Sequence, residues 1–250
     1  MKNNRSGFFS CPVVCVITFL KLLIYGLKSV FLIFSNQFMK AFTPFFVALR
    51  VVGYSLLMFG IAEGILFDAA HPMEEGYFGE ITFTEIGQEV ILFILFLFYL
   101  FLGFRWPDIQ PVSNIVSLFF LISFIREFNF LIDGWIYPAL LVLGIIGWLV
   151  FRDWRKLKQA TAGFFSVPAS AWFFSGFLIT YIFSRLFGRA KFWRLLYHDD
   201  SYRLAKAATE EGLELLGNTI MFIAAIEFYI HIRNQHKQRS SGAGQSTSNP

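Results

Sequence analysis

Apolar residues in this chain form long uninterrupted runs, not the alternating pattern of half-buried strands. A helix that crosses the hydrocarbon core of a membrane needs about 20 mostly apolar residues. Six runs are of that size, at residues 42–67, 86–104, 111–130, 135–151, 167–187 and 213–232. In lipid, helices and closed barrels alone satisfy their backbone hydrogen bonds, and solid runs favour helices. The pattern therefore predicts an all-α fold, a polytopic transmembrane helical bundle with six spans.

An N-terminal apolar stretch, residues 8–34, predicts a further helix. It carries Lys21 and Lys28 on one helical face, which favours a helix lying in the membrane interface over a seventh span. Cys11 and Cys15 are spaced for neither a zinc ribbon nor a disulfide framework, so we expect them to be small apolar residues. We predict an N-terminal arm over 1–41, a membrane bundle over 42–232 and a disordered cytoplasmic tail over 233–250, Ser- and Gly-rich from residue 240.

Composition supports a membrane protein. Of 250 residues, 56% are hydrophobic, 15% are charged and 34 are Phe, which excludes a water-soluble domain with an ordinary surface. We expect membrane lipid as a partner and no nucleic acid, with a homo-oligomer or a membrane partner protein as further candidates.

The distribution of Lys and Arg predicts how the bundle is oriented in the membrane, because basic loops stay in the cytoplasm. The N-terminal arm, the 152–158 loop and the C-terminal tail carry many Lys and Arg residues, so both termini are expected to be cytoplasmic, in a bacterial inner membrane or a plasma membrane. Fourteen of the seventeen acidic residues then fall on the extracytoplasmic side. The 188–212 connection is the exception, with five basic residues on that side, but its own acids soften the conflict.

Ionisable groups at the extracytoplasmic helix ends form a candidate site. Glu85 and Glu89 are four residues apart, as are Glu210 and Glu214, so each pair shares one helical face. Carboxylates this close repel one another unless a cation lies between them. Arg126, Arg203 or a bound divalent cation could supply that charge.

Residue types suggest roles within this site. Hard cations prefer carboxylate ligands, which predicts a metal site at Glu85, Glu89, Glu210 and Glu211. General acid or base chemistry is predicted for Glu127, His198, Asp199 and Glu214. Phosphate or substrate binding is predicted for Arg126, Arg194 and Arg203. Near the cytoplasmic side, Arg50 and Glu227 lie at similar depth and are predicted to form a structural ion pair.

Three functions fit these residues. The leading hypothesis is an enzyme acting on a lipid or lipid-linked substrate, although no HExxH, GxSxG or HxxxH signature occurs. The alternatives are a small-solute or ion-coupled transporter and a non-catalytic membrane subunit that binds a partner. A purely structural interpretation also stays open, in which Arg126 and Arg185 neutralise the glutamates and hold helices together.

Overall fold

A computed structural model describes residues 43–71, 82–130, 134–197 and 201–245. The chain divides into two compact units, Met1–Gly53 and Tyr54–Pro250. Every described element is a helix, so the predicted all-α class is confirmed. The predicted helix over 8–34, with Cys11 and Cys15, lies outside the described residues.

Nine α-helices make up the described chain, with a 3-10 turn after the third and a π-helical segment between the sixth and seventh. Their bounds are α1 Thr43–Ala70, α2 Phe83–Arg105, α3 Gln110–Glu127, the 3-10 turn Phe128–Phe130, α4 Ile136–Arg152, α5 Trp154–Phe165, α6 Ala169–Leu178, the π segment Ile179–Phe183, α7 Ser184–Phe187, α8 Ala190–Trp193 and α9 Tyr202–Gln245.

Four of the described helical stretches are long and apolar enough to cross a membrane: Phe45–Ala70, Phe83–Arg105, Ala169–Phe187 and Tyr202–Gln238. The pair α4 and α5 would form a fifth if counted as one broken span, although it bends by 98° between the two helices. α3 is helical where a span is predicted, but buried serines and two charged residues at its end lower its hydropathy. A transmembrane bundle is therefore supported, and the count of six spans stays a prediction.

Apolar side chains on the outside of the bundle match a lipid environment. α1 exposes Leu56, Phe59 and Leu66, each by more than half of its surface, and α4 exposes Leu141 and Phe151 to a similar or greater extent. Exposed contiguous apolar surface of this kind is rare on soluble monomers. These two helices are consequently the ones most open to lipid among the described elements.

The core is aromatic and brings α2, α3, α6 and α9 together. Tyr99 stacks on Phe120 with ring centroids 5.9 Å apart, and Phe173 meets both rings edge-on at 6.1 Å. Met221 and Phe228 of α9 belong to the same buried cluster. Edge-on and offset aromatic contacts are favourable beyond the area that they bury.

A tight helix crossing joins α6 to α9. A side chain on Gly176 would lie 2.6 Å from the carbonyl oxygen of Gly217, and one on Gly217 would collide with Thr180. Small residues at such crossings let two backbones approach closely in a membrane. Just beyond the crossing, the Ser184 N–H donates to the carbonyl of Ile179, five residues back, which makes Ile179–Phe183 π-helical.

Asp68, near the end of α1, caps the start of α2. Its buried carboxylate accepts hydrogen bonds from the Phe83 N–H at 3.0 Å, the Thr84 N–H at 2.7 Å and the Thr84 hydroxyl at 2.5 Å. The first N–H groups of a helix have no partner within it, and a carboxylate there also suits the helix dipole. This contact fixes the two helix ends beside each other.

Removing the cap is expected to destabilise the protein. Asp68→Ala leaves two backbone N–H groups and a buried hydroxyl unsatisfied, which should lower the free energy of unfolding by about 2 kcal/mol. Thermal unfolding of the purified protein measures this loss. Asp68→Asn keeps an acceptor and should lose less, and equal midpoints for the alanine variant and the wild type would contradict the capping role.

Two predicted boundaries differ from the structure. The basic segment predicted as a loop over 152–158 turns at Asp153 and continues as α5, in which Ala160 and Phe164 are buried. Lys and Arg are good helix formers, so a polar composition does not by itself indicate a loop. α9 begins at Tyr202, before the predicted start of the last span at residue 213, and its helical backbone continues to Gln245 through most of the predicted tail.

Candidate functional site

Antiparallel packing gathers the charged helix ends at one end of the bundle. α2 and α9 begin there, whereas α3 and α7 end there, as the contacts between their side chains establish. The six carboxylates that meet are called the glutamate cluster: Glu85, Glu89, Glu127, Glu210, Glu211 and Glu214. The glutamates that the sequence groups into one candidate site therefore lie at the same end of the bundle, and their functional roles stay predictions.

Glu214 is the buried centre of the cluster. Its side chain is only 4% exposed, and it pairs with two arginines, Arg126 of α3 and Arg185 of α7. The distance from Arg126 Nη2 to Glu214 Oε2 is 3.3 Å, and Arg185 Nη2 donates to Glu214 Oε1. A buried carboxylate needs such compensation, because an unpaired charge is costly away from water. Glu214 thus connects three helices.

Three further ion pairs complete a balanced network. Arg126 Nη2 also lies 2.5 Å from Glu127 Oε1. Glu210 lies between Arg185, at 3.4 Å, and Lys206 one turn earlier on α9, at 3.0 Å. Three cations therefore face three carboxylates, namely Glu127, Glu210 and Glu214. This part of the cluster fits the structural interpretation of the arginines.

Three carboxylates lie beside this network without a cation of their own. Within the described residues, the side chains of Glu85, Glu89 and Glu211 form no ion pair. Glu85 is close enough to Glu89, Glu127, Glu211 and Glu214 for electrostatic repulsion from all four. Repulsion among carboxylates favours binding of a proton or of another positive group.

A buried glutamine lies among these three. Gln88 is fully buried on α2, and its Nε2 donates to the Glu211 carboxylate at 2.9 Å and to the Glu211 carbonyl at 3.2 Å. Its Oε1 accepts no hydrogen bond from any described group. Buried polar atoms are normally satisfied, so this acceptor is available to a donor that binds beside it.

Uncharged polar groups extend the cluster toward the core. Ser123 and Tyr181 share a hydrogen bond of 2.8 Å between α3 and the π segment, and the Thr180 hydroxyl donates to the Glu214 carbonyl at 3.4 Å. Asn218, one turn below Glu214, is buried, and its Oδ1 has no partner among the described groups.

Five of these uncharged residues were not predicted from the sequence: Gln88, Ser123, Thr180, Tyr181 and Asn218. Spacing could have indicated two of them. Asn218 follows Glu214 by four residues, and Gln88 stands between Glu85 and Glu89 in an otherwise apolar helix.

The remaining predicted site residues are placed differently. His198 and Asp199 lie outside the described residues, so their catalytic roles stay predictions. Arg194 donates to the hydroxyl of Tyr202 at 3.3 Å and lies over its ring, and Arg203 lies exposed in the first turn of α9. Further along α9, Glu227 accepts a hydrogen bond from Tyr54 at 2.7 Å, and its pairing with Arg50 stays a prediction.

No group of three or more His, Cys, Asp or Glu side chains in the described part of the chain is arranged to hold a metal ion. The metal site predicted at Glu85, Glu89, Glu210 and Glu211 is thus without support from the described geometry. Comparison with known proteins adds no assignment: no family model, no curated protein and no solved structure matches this chain significantly.

Proposed function

We propose that this chain is a six-span membrane protein with both termini in the cytoplasm, in which α3 and α4 cross the membrane beside the four apolar spans. α3 packs between α2 and α4, and its Ser113, Ser117 and Ser123 are buried in the bundle instead of facing lipid. A span that neighbours cover can carry polar residues at low cost. On this topology the glutamate cluster lies at the extracytoplasmic membrane face.

The cluster is proposed to bind a positively charged group, as the site of a cation- or proton-coupled carrier. The observation that supports this is the excess of carboxylates: three cations compensate Glu127, Glu210 and Glu214, whereas Glu85, Glu89 and Glu211 have no ion pair in the described chain. Ionisable residues inside a membrane commonly mark ion or proton pathways.

A phosphate-bearing lipid substrate suits this arrangement less well. Its negative charge would meet the three carboxylates that form no ion pair in the described chain, and both arginines are already engaged with glutamates. A cationic ligand would instead relieve the repulsion around Glu85, and an N–H or O–H group on it could donate to Gln88 Oε1. We therefore favour a transporter over an enzyme that acts on a lipid substrate.

Transport by the reconstituted protein tests the proposal. The full chain is placed in liposomes that enclose a pH-sensitive dye, and gradients of Na⁺, K⁺ or a small diamine such as putrescine are imposed. We expect at least one gradient to drive a dye response, and we expect Glu85→Gln combined with Glu89→Gln to remove it. Loss of both carboxylates leaves the paired network intact, so folding should be retained.

Glu63→Gln is the matched control, because Glu63 is an exposed carboxylate of α1 that lies outside the cluster. It should leave the response unchanged. Binding without transport, seen as a cation-dependent rise in the unfolding temperature that the double variant lacks, would indicate a non-catalytic binding subunit. If every probe gives neither transport nor binding, the proposal is refuted.

A further inference from the structure

A cavity of about 300 Å³ lies at the opposite end of the bundle from the glutamate cluster. It opens where α3 begins and where α4 bends into α5. Arg152, Asp153 and Lys156 line it from α4, the bend and α5, and Gln110 and Asn114 line it from the first turns of α3. None of these residues belongs to the glutamate cluster or to the proposed carrier site.

Two of the residues that line the cavity, Arg152 and Lys156, are cationic. Arg152 donates from Nε and Nη2 to Asp153 Oδ2, at 3.0 and 2.7 Å, so its Nη1 group takes no part in this contact. Its guanidinium also lies 4.2 Å from the centre of the Trp148 ring, a stacking contact that holds it in place. Lys156 is exposed and forms no ion pair with another described residue. The one carboxylate of the cavity is thus already engaged.

Two amide side chains add neutral donors. Gln110 and Asn114 form no side-chain hydrogen bond with other described groups, although both lie at the cavity wall. Gln110 begins α3 and Asn114 lies one turn later, and the start of this helix also contributes the positive end of its dipole. Two cationic groups, two amides and a helix start together fit an anion that has several oxygen acceptors, which is the chemistry of a phosphate group.

The surroundings place the cavity at the depth of lipid headgroups. α4 is apolar and exposed, and α5 leaves it at 98°, so α5 runs along the membrane plane when α4 crosses the membrane. α5 buries Ala160 and Phe164 and exposes its Lys and Arg residues, the pattern of an interfacial helix. Trp148 and Trp154 flank the bend with exposed rings, as aromatic residues do at a membrane interface.

We propose that this cavity binds the phosphate-bearing headgroup of an anionic membrane lipid. Arg152 Nη1 and Lys156 Nζ contact the phosphate oxygens, and the amides of Gln110 and Asn114 donate to the remaining headgroup oxygens. The acyl chains lie along the exposed apolar surface of α4, against Phe151. This site is separate from the glutamate cluster and does not depend on carrier activity there, but its depth rests on the proposed topology, in which α4 crosses the membrane.

Binding to the purified full chain in maltoside micelles tests the assignment. Short-chain phosphatidylglycerol, phosphatidylcholine of equal chain length and inorganic phosphate are titrated separately, and the fluorescence of the tryptophans and the unfolding temperature are followed. Phosphatidylglycerol should bind to saturation and raise the unfolding temperature. Lys156→Gln should weaken its apparent affinity by about tenfold, as expected when one charge-assisted contact is lost, and Lys156→Arg should retain most of it.

Lys158→Gln is the matched control, since Lys158 lies exposed on the same helix but does not line the cavity. It should leave the affinity within about twofold of the wild type, as for an ordinary surface substitution. Equal losses for Lys156→Gln and Lys158→Gln would overturn the proposal in favour of diffuse attraction to basic residues. Equal binding of phosphatidylcholine, equal binding of inorganic phosphate, or no saturable binding of phosphatidylglycerol would also overturn it.

Discussion

Replacing both Arg126 and Arg185 with methionine is expected to lower the free energy of unfolding by about 3–5 kcal/mol, the usual cost of leaving a buried charge without its partner. Both arginines pair with Glu214, whose side chain is 4% exposed, so the double variant isolates this carboxylate inside the bundle. The unfolding temperature in detergent and the fraction that stays monodisperse measure the effect.

A third substitution separates the loss of charge compensation from the loss of arginine packing. Adding Glu214→Gln to the double variant removes the isolated charge and should restore much of the lost stability, because a neutral buried amide costs far less than a carboxylate. Arg189→Met serves as the control, as Arg189 is an exposed arginine two residues after the end of α7, and should have little effect. A double variant as stable as the wild type would show that the paired network does not stabilise the fold.

The second large effect is expected at the crossing of α6 and α9. Gly217→Val would place carbon atoms against Thr180 and within 2.7 Å of the Gly176 carbonyl oxygen, both on a neighbouring backbone that is itself packed. Overpacking of this kind typically costs about 1–3 kcal/mol, and the rigid neighbour places this site at the upper end. The two helices should separate and the unfolding temperature should fall.

The same substitution should also disturb the glutamate cluster, because Glu214 lies only one turn from Gly217 on α9. In the transport assay, Gly217→Val is expected to reduce the response even in the fraction that remains folded. Gly144→Ala is the control: apart from its chain neighbours and the backbone of its own helix, a Cβ added to Gly144 would meet no described atom within 4 Å, so the unfolding temperature should stay the same or rise slightly. A stable, fully active Gly217→Val variant would contradict the close crossing.

Spans were predictable from the sequence because burial in lipid requires solid apolar runs. The predicted run at 42–67 and the span Phe45–Ala70 agree to within a few residues, and the same holds for 86–104 and Phe83–Arg105. α5 was not predicted, because hydropathy does not distinguish a polar loop from a helix in the interface. A signal was present in Leu157, Ala160 and Phe164, which recur at helical spacing.

The gathering of glutamates at one end of the bundle was also predictable, because the order of the apolar runs along the sequence puts these helix ends on the same side. The pairings within it were not. Whether Arg185 reaches Glu214 depends on the rotation of α7 about its axis, and the π segment before α7 changes that rotation in a way that no periodicity of the sequence indicates. Gln88 was missed for a related reason: an uncharged side chain gives no electrostatic signal until its neighbours are known.

The π segment Ile179–Phe183 also determines which changes of chain length this protein tolerates. A π turn holds one residue more than an α turn, so deletion of a single residue there lets the backbone relax to α geometry while Gly176 and Arg185 keep their orientations. A deletion elsewhere in α6 or α9 cannot be absorbed in this way, because it rotates the rest of the helix by about 100° about its axis. Natural variants of this chain should therefore lose a residue within this one turn more readily than at other positions of the two helices.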